Sequence, residues 1–414
     1  MRSWKLSSAL VLVGLAAASL PASAQAPAAP APGAPSAPAA APAAAPPPPP
    51  PIAFDDAVLK AANDLFSKAQ LTDAGDNKVL LAIDPLIDGI SGAQSVATRS
   101  MEKRIIELVK ASYPRFDVQP FNTATVSRSP VVLIGTFTAI NAAGQVDGPR
   151  DAYRVCLALA DLKSRKIVSK GFARAKPEGV DTTPTAYFND SPVFSKDAAT
   201  EAYIKSCQGT KAGDPINQVY SDRILAAAFI SDAINAYNGK RYRESLDLYN
   251  SALRTPGGDQ LRAYNGVYLA SWKLARRDQA ADAFGKVVDY GLNSSRLAVK
   301  FLFRPGSTLF FTDKATSIPY PMWLKQIAQR TAKSNSCLEI VGHTSPTGPE
   351  PLNVRLSGLR AERVKDILTD DAPVLKKRMI ASGLGSKETL IGTGKDNASD
   401  ALDRRVEFKV LNNC

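Results

Sequence analysis

Histidine is almost missing from this chain: among 414 residues, only His343 carries an imidazole. That scarcity excludes a multi-histidine metal site and leaves one possible imidazole base for a serine or cysteine nucleophile. No paired carboxylates and no triad stand out. The glycine-rich run GLGSKETLIGTGK, which begins at Gly383, lacks the GxxxxGK[ST] spacing of a phosphate cradle. The residues therefore point away from an enzyme and offer no catalytic, metal or cofactor set. Long apolar runs are missing too. The longest, Ala9 to Leu20, holds roughly a dozen residues against the ~20 that a helix needs to cross a bilayer core. Cysteine is scarce, at four residues, and the first is Cys156, so a lipid anchor on a leading cysteine has no acceptor.

What is present begins with an export signal over residues 1–24. Arg2 and Lys5 precede the apolar run, and Ala22, Ser23 and Ala24 supply the small side chains that signal peptidase requires, with cleavage expected after Ala24. The mature chain is then expected to be soluble. Residues 25–52 collapse to Ala and Pro, ending in the unbroken run Pro46 to Pro51. Proline favours the extended polyproline conformation at ~3.1 Å per residue, so this stretch reads as a strut of up to about 80 Å. A proline ligand for a recognition domain is the rival reading.

Export also bears on charge and cysteine. A formal charge of +12 would suit a nucleic-acid partner, but outside the cytoplasm the available anions are wall polymer and lipid headgroups. The basic residues are spread along the chain, a pattern of solvated surface with a mild bias towards anions. In an oxidising compartment four cysteines favour disulfides, and their positions favour two local pairs, Cys156 with Cys207 and Cys337 with Cys414.

Three folded regions follow the spacer, so the fold class expected is multidomain, α/β plus α. In 53–214 an amphipathic helix over Asp55 to Ala69 precedes a strand at Val79 to Ile83 and a helix over Ser95 to Tyr113. That second helix sets Met101, Ile105, Ile106, Leu108 and Val109 on one side. Strands follow at Phe116 to Pro120, Val131 to Ile140, Val155 to Leu162 and Lys166 to Phe172, making an α/β or α+β region. Its order of elements, with the run VVLIGTFTAI, resembles the periplasmic α/β domain of CsgG, FlgO and LpoB type envelope proteins. In 221–297 the periodicity is helical, with Tyr249 and Phe284 separated by close to the ~34 residues of a tetratricopeptide repeat, which this stretch resembles. Two such repeats cannot bury their faces alone, so they must pack on a neighbour or a partner. A helical spacer and a peptide-binding groove both fit.

Residues 298–414 read strand, helix, strand, helix, strand, strand. Phe301 to Arg304 is expected as the first strand and Trp323 to Ala332 as a helix. Leu338 to Gly342 is then a strand, Ser357 to Leu368 a helix with Leu359, Val364, Ile367 and Leu368 in the core, and Val406 to Val410 the last strand. Cys337 precedes one strand and Cys414 follows another, so they meet only if those strands are adjacent and antiparallel. The stretch GHTSPTGPEPLNVRLSGLRAERVKDIL supplies Gly342, Thr344, Gly348, Asn353, Leu356, Ser357, Arg360, Ala361 and Val364. With DRRVEF at Asp403 to Phe408, it resembles the OmpA carboxy-terminal domain.

That resemblance implies a βαβαββ fold that binds peptidoglycan stem peptides, whose diaminopimelate presents a free carboxylate and a free ammonium. Arg360 takes the place of the arginine that holds the carboxylate through a bidentate pair, near the start of a helix that Ser357 caps or joins in its first turn. Thr344 and Asn353 belong to the same loop, Asn353 and Arg405 more for geometry than for contact. Ser345 stands where the family places an aspartate for the ammonium, and Glu350 is the carboxylate nearby in sequence that replaces it. The expected function is a non-catalytic periplasmic protein, associated with the wall or outer membrane, that links peptidoglycan to unidentified envelope proteins through its helical repeats. The alternative is an interaction scaffold that has lost wall binding.

Overall fold

A computed structural model of the chain describes residues 49–71, 78–146, 149–193, 196–295, 297–304, 306–311, 317–390, 400 and 403–411. The signal segment and most of the proline spacer lie outside them, as does Cys414. The spacer ends earlier than expected: Ile52 is already bridged to Ala175, its N–H donating to Arg174 O at 3.0 Å.

Helix α1 (Phe54–Ser67) owes its place to Ala57, Val58, Ala61, Ala62, Leu65 and Phe66, spaced to form one apolar stripe. It lies on β6 (Lys166–Ala175) so closely that a Cβ on Gly171 would stand 1.9 Å from Ala61 O. The sheet beneath also holds β1 (Val79–Ile83), β2 (Ile87–Asp88), β3 (Phe116–Gln119), β4 (Val131–Ile140) and β5 (Ala152–Asp161). Its order is β3-β1-β4-β5-β6, with β2 pairing β4. The β1 neighbours are parallel, while β4, β5 and β6 form antiparallel hairpins. α2 (Val96–Ser112), closed by a Ser95–Thr98 capping box, covers one face together with α1. α3 (Thr123–Val126), α5 (Ala198–Gln208) and α6 (Gln218–Asn238) lie towards the other, and α4 (Ala186–Asp190) precedes α5. Every residue of β4 is buried, as expected of a strand covered on both faces.

Cys156 on β5 and Cys207 on α5 form a disulfide, as the spacing implied. A second tie between layers is Asp84, just past β1, whose Oδ2 accepts from Tyr220 of α6 at 2.8 Å.

α6, α7 (Tyr242–Arg254), α8 (Leu261–Lys273) and α9 (Arg277–Asn293) pack each on the next. The turn after α6 and the turn after α8 are built alike. Lys240 and Ala275 take left-handed φ of 62° and 59°, and Arg241 N and Arg276 N bond back to Ala236 O and Ser271 O. Corresponding members of the two turns are 35 positions apart, as are Tyr249 and Phe284. This is a helix-pair repeat in backbone geometry, closed by Schellman-like turns. Tyr249 presses on α8, where a Cβ on Gly266 would lie 2.2 Å from its ring. Phe284 instead stacks on Trp323, with centroids 5.6 Å apart.

Trp323 belongs to α10 (Tyr320–Lys333), the first helix of the C-terminal region, so α10 occupies the place a further repeat helix would take. Trp323 Nε1 donates to Tyr268 OH at 2.8 Å. One continuous apolar core accordingly runs from α6–α9 into the C-terminal sheet. The remaining elements are β7 (Leu297–Val299), β8 (Cys337–Gly342), α11 (Glu350–Asp371), a 3-10 turn (Pro373–Lys377), β9 (Met379–Gly383) and β10 (Val406–Leu411). The sheet order is β7-β10-β8-β9, with β8–β9 parallel and β10 antiparallel to both neighbours. The expected strand, helix, strand, helix, strand, strand order is present.

Three expectations need correction. The opening strand is Leu297–Val299, because these residues meet β10; Phe301 and Phe303 turn into the core, and Phe303 bridges Phe310. Leu359 is 49% exposed, on the face of α11 opposite Val364 and Leu368. α11 starts seven residues before Ser357, at Glu350. β8 and β10 are adjacent and antiparallel, with Cys337 opposite Leu411, which meets the geometric condition set for a bridge to Cys414. No helix of the described residues is long and apolar enough to cross a membrane.

Two predictions follow from these ties. Loop-closure entropy over the 51-position separation of Cys156 and Cys207 corresponds to about 4 kcal/mol, so the Cys156→Ala/Cys207→Ala chain is expected to lose stability of that order in denaturant titration. An unchanged midpoint contradicts it. Burial pushes the Asp84 carboxyl up to about 7, against the Tyr220 hydrogen bond and Arg262, with Glu102 adding to the rise. Glu102 is likewise raised to about 7 by burial, opposed by Arg99 and the Leu86 N–H. Both folded values lie above the unfolded ones, so the folded state holds extra protons and stability falls as pH rises from about 4 to about 7. Asp84→Asn reduces that slope in melting temperature and Asp84→Asn/Glu102→Gln flattens it; an unaltered slope in the double variant overturns the assignment.

Candidate functional site

Gly342, Ser357 and the residue after it explain why α11 can lie on the strands. A Cβ on Gly342 would stand 2.0 Å from Ser357 O, and one on Gly383 would stand 2.3 Å from Gly358 N. Only residues without side chains permit that approach. Pro351 in the first turn loses no helical hydrogen bond, and Glu350 beside it suits the positive end of the helix. Ser357 is not a cap. It lies well inside the helix, where Oγ donates to Val354 O and accepts from Gly385 N, both at 2.9 Å. These small residues belong to the packing of helix on sheet.

Arg360 likewise lies inside α11, about 15 Å of helical rise from Glu350, and not at the amino-terminal end. It is 1% exposed. Its Nε donates to Ser307 O at 3.0 Å and its Nη2 to Arg304 O at 3.1 Å, while the guanidinium lies 5.0 Å from the centroid of the Phe303 ring. A buried guanidinium needs such partners, since an unsatisfied charge in the interior is costly. The fork of donors is therefore engaged by the backbone of the segment after β7.

The other predicted residues sit in the turn between β8 and α11. Thr344 N donates to Gly385 O at 2.9 Å, and the buried Thr344 Oγ1 has no hydrogen-bond partner. Ser345 Oγ meets Thr347 Oγ1 at 3.1 Å. Asn353 Nδ2 donates to Thr347 O at 3.1 Å, holding the turn as its position suggested. Gly348 takes a φ of 82°, in the left-handed region that glycine adopts without strain. Glu350 accepts from Ser386 N at 3.1 Å and from Ser386 Oγ, so its carboxylate joins α11 to the segment after β9.

His343 and Arg405 support this turn from behind. His343 N donates to Arg405 O at 2.9 Å. Its ring is buried, with neither nitrogen hydrogen-bonded, and burial, then the positive charges of Arg405 and Lys409, push its pKa down to about 3. The imidazole is thus neutral at ordinary pH. Arg405 Nε donates to Glu407 Oε1 at 2.6 Å and Nη1 to Glu388 O at 3.0 Å. Both residues hold strands and loops in register, as expected of Arg405.

The site thus has two parts held by different segments: a guanidinium fork among Phe303, Arg304 and Ser307, and a hydroxyl-rich turn over 344–353. Such groups can bind an anion or a hydrogen-bonding peptide. Phe303, Arg304 and Ser307 were not foreseen as part of the site. The aromatic density of FLFRPGSTLFF was the available signal.

Residues 302–402 match the model of the OmpA family. Outer membrane porin F of Pseudomonas fluorescens is 40% identical over 76 residues, which are 18% of this chain and 22% of the porin. The chain thus spans about a fifth of that curated relative. Among solved structures, the peptidoglycan-associated lipoprotein from Burkholderia pseudomallei is 27% identical over 28% of this chain and 91% of that one, with a TM-score of 0.24. The periplasmic domain of Helicobacter pylori MotB is 21% identical over 26% and 69%, with a TM-score of 0.22. The cell wall anchor of the T6SS from Pseudomonas aeruginosa is 25% identical over 27% and 74%, also at 0.22. Residues 302–402, which hold β8, β9 and the helices α10 and α11, are an OmpA domain, and β7 and β10 of the same sheet flank the matched residues.

Proposed function

We propose that this protein is a non-catalytic periplasmic wall binder, associated with peptidoglycan or the outer membrane, whose OmpA domain takes peptidoglycan stem peptides. The observation that carries the reading is the family match over 302–402 together with an arginine fork at the family's position. In this proposal Arg360 receives the diaminopimelate carboxylate. The carbonyls of Arg304 and Ser307 carry no charge, whereas a carboxylate brings opposite charge and two oxygens matched to the fork, so a carboxylate competes for it. Binding then requires the segment after β7 to give way. Thr344, Ser345 and Asn353 line the approach. Glu350 is a poor replacement for the missing aspartate, because Ser386 already engages it.

The helix-pair repeat, which resembles tetratricopeptide repeats, is proposed to carry envelope protein partners. The α/β region shares that envelope role, as its likeness to CsgG, FlgO and LpoB type domains suggests. A second reading is favoured by one observation: Ser345 supplies no charge where the family places a carboxylate, so the domain serves as a scaffold without wall binding.

Co-sedimentation of the full chain with isolated sacculi separates the two. The wall-binding reading expects the chain in the pellet. Arg360→Lys, which keeps the charge and loses the fork, is expected to weaken binding about tenfold or more, and Ser345→Asp to strengthen it. Circular dichroism confirms that both variants fold. A folded chain that stays in the supernatant, or pellets equally as Arg360→Lys, supports the scaffold.

A further inference from the structure

A cavity lies outside the OmpA domain, where the turn after β2, α4 and the starts of α5 and α8 converge. It is a half-enclosed space of about 50 Å³, walled by Tyr187, Phe188 and Val193 on the apolar side and reached by Ser191, Arg262 and Asn265. Asn265 is 2% exposed, and its Nδ2 donates to Tyr187 OH at 3.2 Å and to Ser191 Oγ at 2.9 Å. Both hydroxyl protons are committed elsewhere, that of Tyr187 to Arg262 O at 2.8 Å and that of Ser191 to Val193 O. The amide orientation is therefore settled by its neighbours: the NH₂ must face the hydroxyls, and Oδ1 is left buried with no donor.

Arg262 presents the complement. Its Nε is buried with no acceptor, and its Nη2 makes a single 3.3 Å bond to Gln260 Oε1. The buried acids of the region are occupied. Asp197 gives Oδ1 to Thr200 N and Oγ1 at 2.8 Å and Oδ2 to Leu261 N at 2.9 Å, while Asp84 is bound by Tyr220. A guanidinium whose Nε lacks an acceptor and an amide whose oxygen lacks a donor thus belong to residues that line one cavity beside two aromatic rings. A few convergent polar groups beside an apolar wall are the make-up of ligand pockets, and at about 50 Å³, against ~300–1,000 Å³ for a drug-sized ligand, this one suits only a small terminal group.

We propose that this cavity binds the carboxylate end of a peptide: the carboxylate on Arg262, the last amide N–H on Asn265 Oδ1, and the terminal side chain against Tyr187 and Phe188. A carboxylate fits better than a neutral amide because it adds opposite charge and a second acceptor oxygen opposite the guanidinium. At about 50 Å³ the half-open cavity admits a small terminal group, with the rest of the peptide outside its mouth, and no folded segment. The proposal is independent of wall binding by the OmpA domain.

The test is calorimetric titration of the full chain with N-acetylalanine, in either enantiomer, against N-acetylalaninamide. Saturable binding is expected for the acid, about tenfold weaker for the amide, and about tenfold weaker for the acid with Arg262→Gln. Asn265→Asp, which sets a carboxylate against the ligand's own, is expected to abolish it. Should a variant fail to fold, a crystal of the native chain grown with N-acetylalanine decides. Density for the acid on Arg262 and Asn265 supports the proposal. Water alone in the cavity, or equal binding of acid and amide, overturns it.

Discussion

The C-terminal region is organised around a buried positive charge. Arg360 places its guanidinium between the carbonyls of Arg304 and Ser307 and against the ring of Phe303, and so ties the middle of α11 to the segment that follows β7. A charge at 1% exposure must be met by acceptors, and these two carbonyls are among them. The same donors that secure this segment are the ones the wall-binding proposal needs. Stability and binding therefore compete for a single side chain, and an incoming carboxylate must offer more than two carbonyls do. The fork is engaged by its own chain in this structure, so the proposed binding requires release of the carbonyls of Arg304 and Ser307.

A second constraint joins the helices to the OmpA domain. Repeated helix pairs end in an exposed apolar face unless something caps them. α10 performs that service with Trp323, stacked on Phe284 and hydrogen-bonded to Tyr268, so the C-terminal region and the helical stretch share one core. On the other side Tyr203 of α5 and Tyr220 of α6 both bond Asp84 and so join these helices to the α/β sheet. The described residues from 49 onward accordingly form one compact unit rather than separate beads.

Much of this architecture was legible in the residues, for physical reasons that also explain the misses. Val131–Ile140 reads as a strand because β-branched and aromatic residues follow one another, and the structure buries all ten. The two-residue β2 and four-residue α3 are too short to carry a period. The start of α11 was misplaced because Gly348, Pro349 and Pro351 look like turn punctuation and Ser357 like a cap, whereas proline is tolerated in a first turn and serine can face a neighbouring strand. That error placed Arg360 at a helix end. Its actual partners lie 53 and 56 positions away, beyond the reach of any local pattern. The Cys156–Cys207 pair was accessible from the spacing and the compartment alone.

The central claim is that Arg360 exchanges its backbone partners for a ligand carboxylate. A crystal structure of the full chain with a diaminopimelate-containing stem peptide tests it most directly. The account predicts the guanidinium of Arg360 paired to the ligand's carboxylate and released from the carbonyls of Arg304 and Ser307. A peptide bound elsewhere while Arg360 still grips those two carbonyls contradicts it.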